Sequence, residues 1–229
     1  TALLRDTPDF AEYLVLKLIA RVRRLTRLNR SLALHGVYER VAALLEPIYR
    51  MQNDWGKLVE VQAQCLDFVT GAPDRLATMH QIAELIEEKL SDGVSAFQWY
   101  SRALREHPLD ERSLGEVERL AAATDGWAEL TNVYADIVEA DTATAEVRQV
   151  IGKRLARVHE EELQDLSSAE AAYKFVLEVV PLDTDALESL DRIYSASGDA
   201  AQLAGVLDRR AQAATDEEQK VEFTFRLAQ

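Results

Sequence analysis

Four histidines, His35, His80, His107 and His159, and the run His159-Glu160-Glu161-Glu162 are the residues whose types could hold a metal ion or move a proton. The histidines are scattered, and none stands in the His-Glu-x-x-His spacing that sets two imidazoles on one helical face. Consecutive residues of a helix point in different directions, so the His159–Glu162 run reads as a solvated acidic face and not as a ligand set. There is no Gly-x-Gly-x-x-Gly, no glycine-rich loop ending in Lys-Ser/Thr and no Gly-x-Ser-x-Gly elbow. Cys65 is the single cysteine, so neither a disulfide framework nor a cysteine metal cluster can form within one chain, as expected of the reducing cytoplasm. The residues therefore point away from an enzyme and call for no metal or cofactor.

The elements that must position these side chains are legible through a duplication. Asp92, Ser95, Ala96, Tyr100, Leu104, Pro108, Leu109 and Asp110 recur 73 residues later as Asp165, Ser168, Ala169, Tyr173, Leu177, Pro181, Leu182 and Asp183. Fainter echoes extend it: Trp55-x-x-Leu58 returns as Trp127-x-x-Leu130, and Leu45-x-x-Ile48-Tyr49 as Leu190-x-x-Ile193-Tyr194. Self-similarity over tens of residues marks stacked repeats, each burying its apolar face only against its neighbours. Ile82-Ala83 and Leu155-Ala156 find a third copy in Leu227-Ala228, so the sequence reads as ending within a repeat.

Apolar periodicity and turn chemistry predict about 12 helices: 9–34, 37–52, 55–69, 74–90, 94–106, 110–123, 127–139, 143–163, 167–179, 183–196, 199–213 and 216–228. Nine glycines and five prolines are too few for a turn-rich β fold. Pro108 and Pro181 end one helix, and Asp110 and Asp183 stand where each can cap the next. Pro47 predicts a kink, or a helix that starts near residue 45.

Charge is segregated. Residues 1–36 carry seven Lys/Arg against three Asp/Glu, a net of +4; the remaining 19 against 37 give −18. A body this acidic repels nucleic-acid phosphates and attracts basic ligands. Within 1–36, Phe10, Leu14, Leu18, Leu25, Leu28 and Leu32 form an apolar stripe beside Lys17, Arg21, Arg23, Arg24, Arg27 and Arg30. Three readings compete for this segment: a cap on the first repeat, a docking element for an acidic surface of its own or a neighbouring copy, and a membrane-surface or target-binding helix.

Trp127-x-x-Leu130-Thr131-x-x-Tyr134 resembles the first-helix signature of the tetratricopeptide repeat, with Thr in place of the usual glycine. Ala96, Tyr100, Ala103 and Pro108, and again Ala169, Tyr173, Val176 and Pro181, resemble its second helix. The likeness covers residues 37–229, following the separate segment 1–36. It departs where His80 and Lys153 replace the first-helix tryptophan, and in a spacing nearer about 36 than 34 residues per helix pair. It implies an all-α, right-handed solenoid of antiparallel helix hairpins that serves as a protein-interaction scaffold. A peptide or helix of a partner, a basic one by charge, would lie in a groove lined by Gln81, Glu88 and Lys89, by Asn132 and Asp136, and by Arg154, Glu161 and Glu162. The alternative is a structural spacer of a larger protein that self-associates through its basic N-terminal helix.

Overall fold

Aspartate caps and left-handed stops mark many of the helix boundaries. Asp110, Asp165 and Asp183 each accept from the amide three residues on (Ser113, Ser168 and Ala186, at 2.8, 3.1 and 3.0 Å), which satisfies one of the free donors of a new helix. Helices end on residues in left-handed geometry: Ser91 (φ 55°), Asp125 (φ 56°) and Gly198 (φ 74°). Only Gly198 takes that conformation without a Cβ penalty. At the Asp125-Gly126 joint it is the aspartate that turns left-handed, while Gly126 keeps φ −92°.

The computed structural model describes Lys17 and residues 35–228. Among these residues there are eleven α-helices and no strand: α1 His35–Gln52, α2 Trp55–Leu66, α3 Ala72–Leu90, α4 Gly93–Glu106, α5 Glu111–Thr124, α6 Trp127–Glu139, α7 Ala145–Arg157, α8 Leu166–Val179, α9 Thr184–Ser197, α10 Ala200–Ala213 and α11 Glu217–Leu227. The described residues are thus all-α, built of helix hairpins in chain order. The helix expected over 9–34, and with it the apolar and basic faces of that segment, lies outside the described residues apart from Lys17. No helix of the described residues is long and apolar enough to cross a membrane.

Two expectations change in detail. Pro47 sits inside α1, which starts well before residue 45. The stretch expected as one helix over 143–163 ends its α-helical part at Arg157 and continues as a π turn, Val158–Glu162, closed by Gln164 at φ 54°. The wider turn rotates the His159–Glu162 residues off α-helical register.

The chain divides into two compact units between Tyr100 and Ser101. In the first, α1 packs on α2 and α2 on α3. Leu45, Tyr49, Leu58 and Val61 are its buried cluster, with Trp55, Cys65 and Leu85 packed around them. Arg75 of α3 reaches back to the carbonyls of Leu66 (2.7 Å) and Val69 (3.3 Å), closing the end of α2. His80 and Tyr100, both buried, meet at 5.6 Å between ring centroids.

In the second unit each helix packs on the next from α5 to α11, and side-chain bridges link alternate helices into two rows. Polar bridges join α5 to α7, α7 to α9 and α9 to α11, all in one row. Arg105 at the end of α4 meets Asp136 of α6 at 2.8 Å in the other. Tyr134, Tyr173 and Tyr194 are fully packed between the rows, so the tyrosines are core. Gly152 on α7 is required by close approach: a Cβ there would stand 2.9 Å from Val176 Cγ2 of α8.

Candidate functional site

The odd-numbered row of the second unit carries three carboxylates that each tie together three helices. Glu118 of α5 accepts at Oε1 from the hydroxyl of Tyr134 on α6 (2.8 Å) and from Arg154 Nη1 on α7 (2.6 Å). Glu160 of the π turn accepts at Oε2 from Tyr173 on α8 (2.9 Å), and at Oε1 from Arg192 Nε and Nη2 on α9 (3.1 and 2.7 Å). Asp191 of α9 accepts from Arg210 on α10, from both Nη atoms of Arg226 on α11 (2.6 and 2.8 Å) and from Ser195 (3.1 Å). The rule is common to all three. One partner comes from the following helix of the even row, the other from the next helix of the same row.

These rungs set the local electrostatics. Burial, then the Glu118 charge, raises the Tyr134 hydroxyl far above the ordinary phenol range. Burial also raises Tyr173, and with Glu160 it outweighs the opposing hydrogen bond with Ser189, so the group is pushed up to about 12. At Asp191 burial works to raise the carboxyl, but Arg226 and Arg210 together outweigh it and hold it below the usual carboxylate range. Asp183 follows the same pattern: burial opposes, and Gln149 (2.6 Å), the Ala186 amide and Lys153 (3.2 Å) win. Asp165, half-buried at the start of α8, is drawn down to about 2 by hydrogen bonds from Ser168 and Ser167.

Beside the first rung lies a cleft of about 140 Å³ lined by Glu118, Trp127, Arg154, Arg157, Val158, Glu161 and Glu162. It brings together three of the residues expected to line a groove. Arg154 is committed to Glu118, whereas the carboxylates of Glu161 and Glu162 are exposed and make no ion pair among the described residues. Burial pushes His159 below the usual imidazole range, with Asp165 opposing. Glu160 is no solvated position: its side chain is 11% exposed.

The other expected groove residues stand elsewhere. Asn132 and Asp136 lie on α6, which packs between α5 and α7 and is linked to the end of α4, in the even row, by the bridge from Asp136 to Arg105. Gln81, Glu88 and Lys89 belong to α3 in the first unit and are exposed there. Lys89 reaches over the Trp55 ring at 5.7 Å and approaches Glu88 at 3.7 Å. Trp55, Trp99 and Trp127 are only half-buried.

The sequence reading missed Glu118, Glu160, Asp191, Arg192 and Arg226. The duplication held a signal for them: Glu87, Tyr100 and Arg119 precede Glu160, Tyr173 and Arg192 by 73 residues, and Glu118 precedes Asp191 by the same interval. Among the described residues no group of three or more His, Cys, Asp or Glu is arranged to hold a metal ion.

No family model matches this chain, and no curated protein does. Among solved structures, the crystal structure of MamA protein is similar over 82% of this chain and 96% of that one, at 13% identity and a TM-score of 0.41.

Proposed function

We propose that the chain is a protein-interaction scaffold that holds a basic peptide or helix of a partner against the odd-numbered helix row. The observation that carries this reading is the cleft at the end of α7, where Glu161 and Glu162 present unpaired carboxylates beside the half-buried face of Trp127. A cation is favoured there by the two carboxylates, which outnumber the exposed cation of the lining (Arg157), by the C-terminal end of the helix dipole and by the aromatic face. The net charge of −18 outside residues 1–36 adds long-range attraction. Exposed Gln81, Glu88 and Lys89 on α3, and Asn132 and Asp136 on α6, offer further polar contacts on their own elements.

The test is a fluorescence titration of the full chain with a lysine-rich helical peptide. Glu161→Lys/Glu162→Lys weakens binding by about tenfold or more and flattens its salt dependence. An unchanged affinity overturns the assignment of the cleft.

Charge segregation favours one second reading, a self-associating spacer joined through the +4 segment 1–36. It predicts a dimer at low salt that dissociates as salt rises, and sedimentation distinguishes it from a monomeric scaffold.

A further inference from the structure

The even-numbered row of the second unit carries a second, larger opening on the other side of the helix layer. It is a groove of about 420 Å³ between α8 and α10, with α9 beneath. Leu177, Leu190 and Val206 form a buried floor, and Pro181 and Ala201 are exposed along its walls. On α10, Ala201 and Gly205 stand one turn apart and keep that wall low; a Cβ built at Gly205 meets nothing within 4 Å.

The duplication explains why this groove is open. Glu178 and Arg209, which flank it, stand 73 residues after Arg105 and Asp136. In the first copy those two side chains bridge α4 to α6 at 2.8 Å. In the second copy the signs are exchanged, Asn132 has become Gly205, and neither Glu178 nor Arg209 makes an ion pair among the described residues. The groove is thus apolar at its floor, smooth on one wall, and flanked by one unpaired charge of each sign; Lys174, which also lines the α8 wall, is taken up by Glu170 at 2.7 Å.

We propose that the α8–α10 groove docks a helix of a partner protein, which seats an apolar side chain over Leu177, Leu190 and Val206 and sets a basic residue against Glu178 and an acidic residue against Arg209. Complementary charge at the two sides fixes the direction of the incoming helix, and the small residues of α10 let its backbone come close. This surface belongs to the even row, so it stands or falls independently of the cleft at Glu161 and Glu162.

The test uses the full chain and two labelled helical peptides with the same leucine anchor, identical except that Lys and Glu on either side of it are exchanged. The wild type prefers one order by about tenfold, and Glu178→Arg/Arg209→Asp reverses the preference. Gly205→Phe fills the groove and abolishes binding of the preferred peptide, with helix content and binding at the Glu161/Glu162 cleft unchanged. Three results overturn the proposal: no binding of either peptide, equal binding of both orders, or binding that survives Gly205→Phe. A wild-type dimer that Gly205→Phe dissolves also overturns it, because the occupant is then a second copy of this chain.

Discussion

Arg154 reaches Glu118 at 2.6 Å across 36 residues of chain, the length of one helix pair, and so joins one hairpin to the next. The same oxygen of Glu118 holds the Tyr134 hydroxyl, so one carboxylate fixes both the hairpin and its neighbour. The two jobs separate by substitution. Glu118→Gln keeps an acceptor for Tyr134 and loses only a half-exposed ion pair, a cost of about 0–1 kcal/mol. Glu118→Ala removes the acceptor of the buried Tyr134 hydroxyl, leaves Arg154 as its neighbour, and costs about 1–3 kcal/mol more. Urea unfolding of the two variants measures the difference.

Asp191 is the most heavily loaded carboxylate, 4% exposed and held by two arginines. Asp191→Asn leaves the partly solvated Arg210 and Arg226 without their counter-charge and destabilises the second unit by about 1–3 kcal/mol. Its folded value lies below that of the unfolded chain. The Asp191 contribution is therefore complete above the unfolded pKa of about 3.9, and it is lost as pH falls through the lower folded value. Stability measured against pH between neutral and acid falls along that limb in the wild type and less steeply in Asp191→Asn.

The two glycines give opposite expectations from one chemical change. Gly152→Ala drives a Cβ to 2.9 Å from Val176 Cγ2 and costs about 1–3 kcal/mol; Val176→Ala relieves the clash in the double variant. Gly205→Ala meets open space within an exposed helix and stabilises by about 0.5–1 kcal/mol. Thermal unfolding of the three variants checks both signs.

Tyr173 offers an optical probe of its rung. With its value pushed up to about 12, the buried phenol keeps its proton while ordinary tyrosines ionise near pH 10. Folding therefore holds that proton more tightly, and stability contributed by Tyr173 is lost as pH rises from about 10 toward the folded value. Difference absorbance against Tyr173→Phe should show the missing group titrating late.

The helices were legible because their punctuation is local: a proline or a left-handed residue stops one, and an aspartate caps the next. Asp110 and Asp183 could be assigned from their neighbours alone, and the boundaries of α6 agree with the periodicity to the residue. The π turn left no such mark, since Val158–Glu162 keeps an ordinary helical composition, and its register shift is what turns Glu160 inward. Row membership was hidden for a different reason. The Trp127 pattern looks like a first helix, yet α6 is bridged to Arg105 at the end of α4, because row order follows position along the chain and not the identity of one aromatic. The rungs join side chains 31–36 residues apart and become visible only once hairpins are stacked.

Stacked hairpins stitched by shared carboxylates are tested most directly by a double-mutant cycle between Asp191 and Arg226, which lie 35 residues apart in the chain. Asp191→Asn, Arg226→Gln and the double variant are compared by urea unfolding. A coupling of about 1–3 kcal/mol is the predicted result. Additive effects, with no coupling beyond error, contradict it.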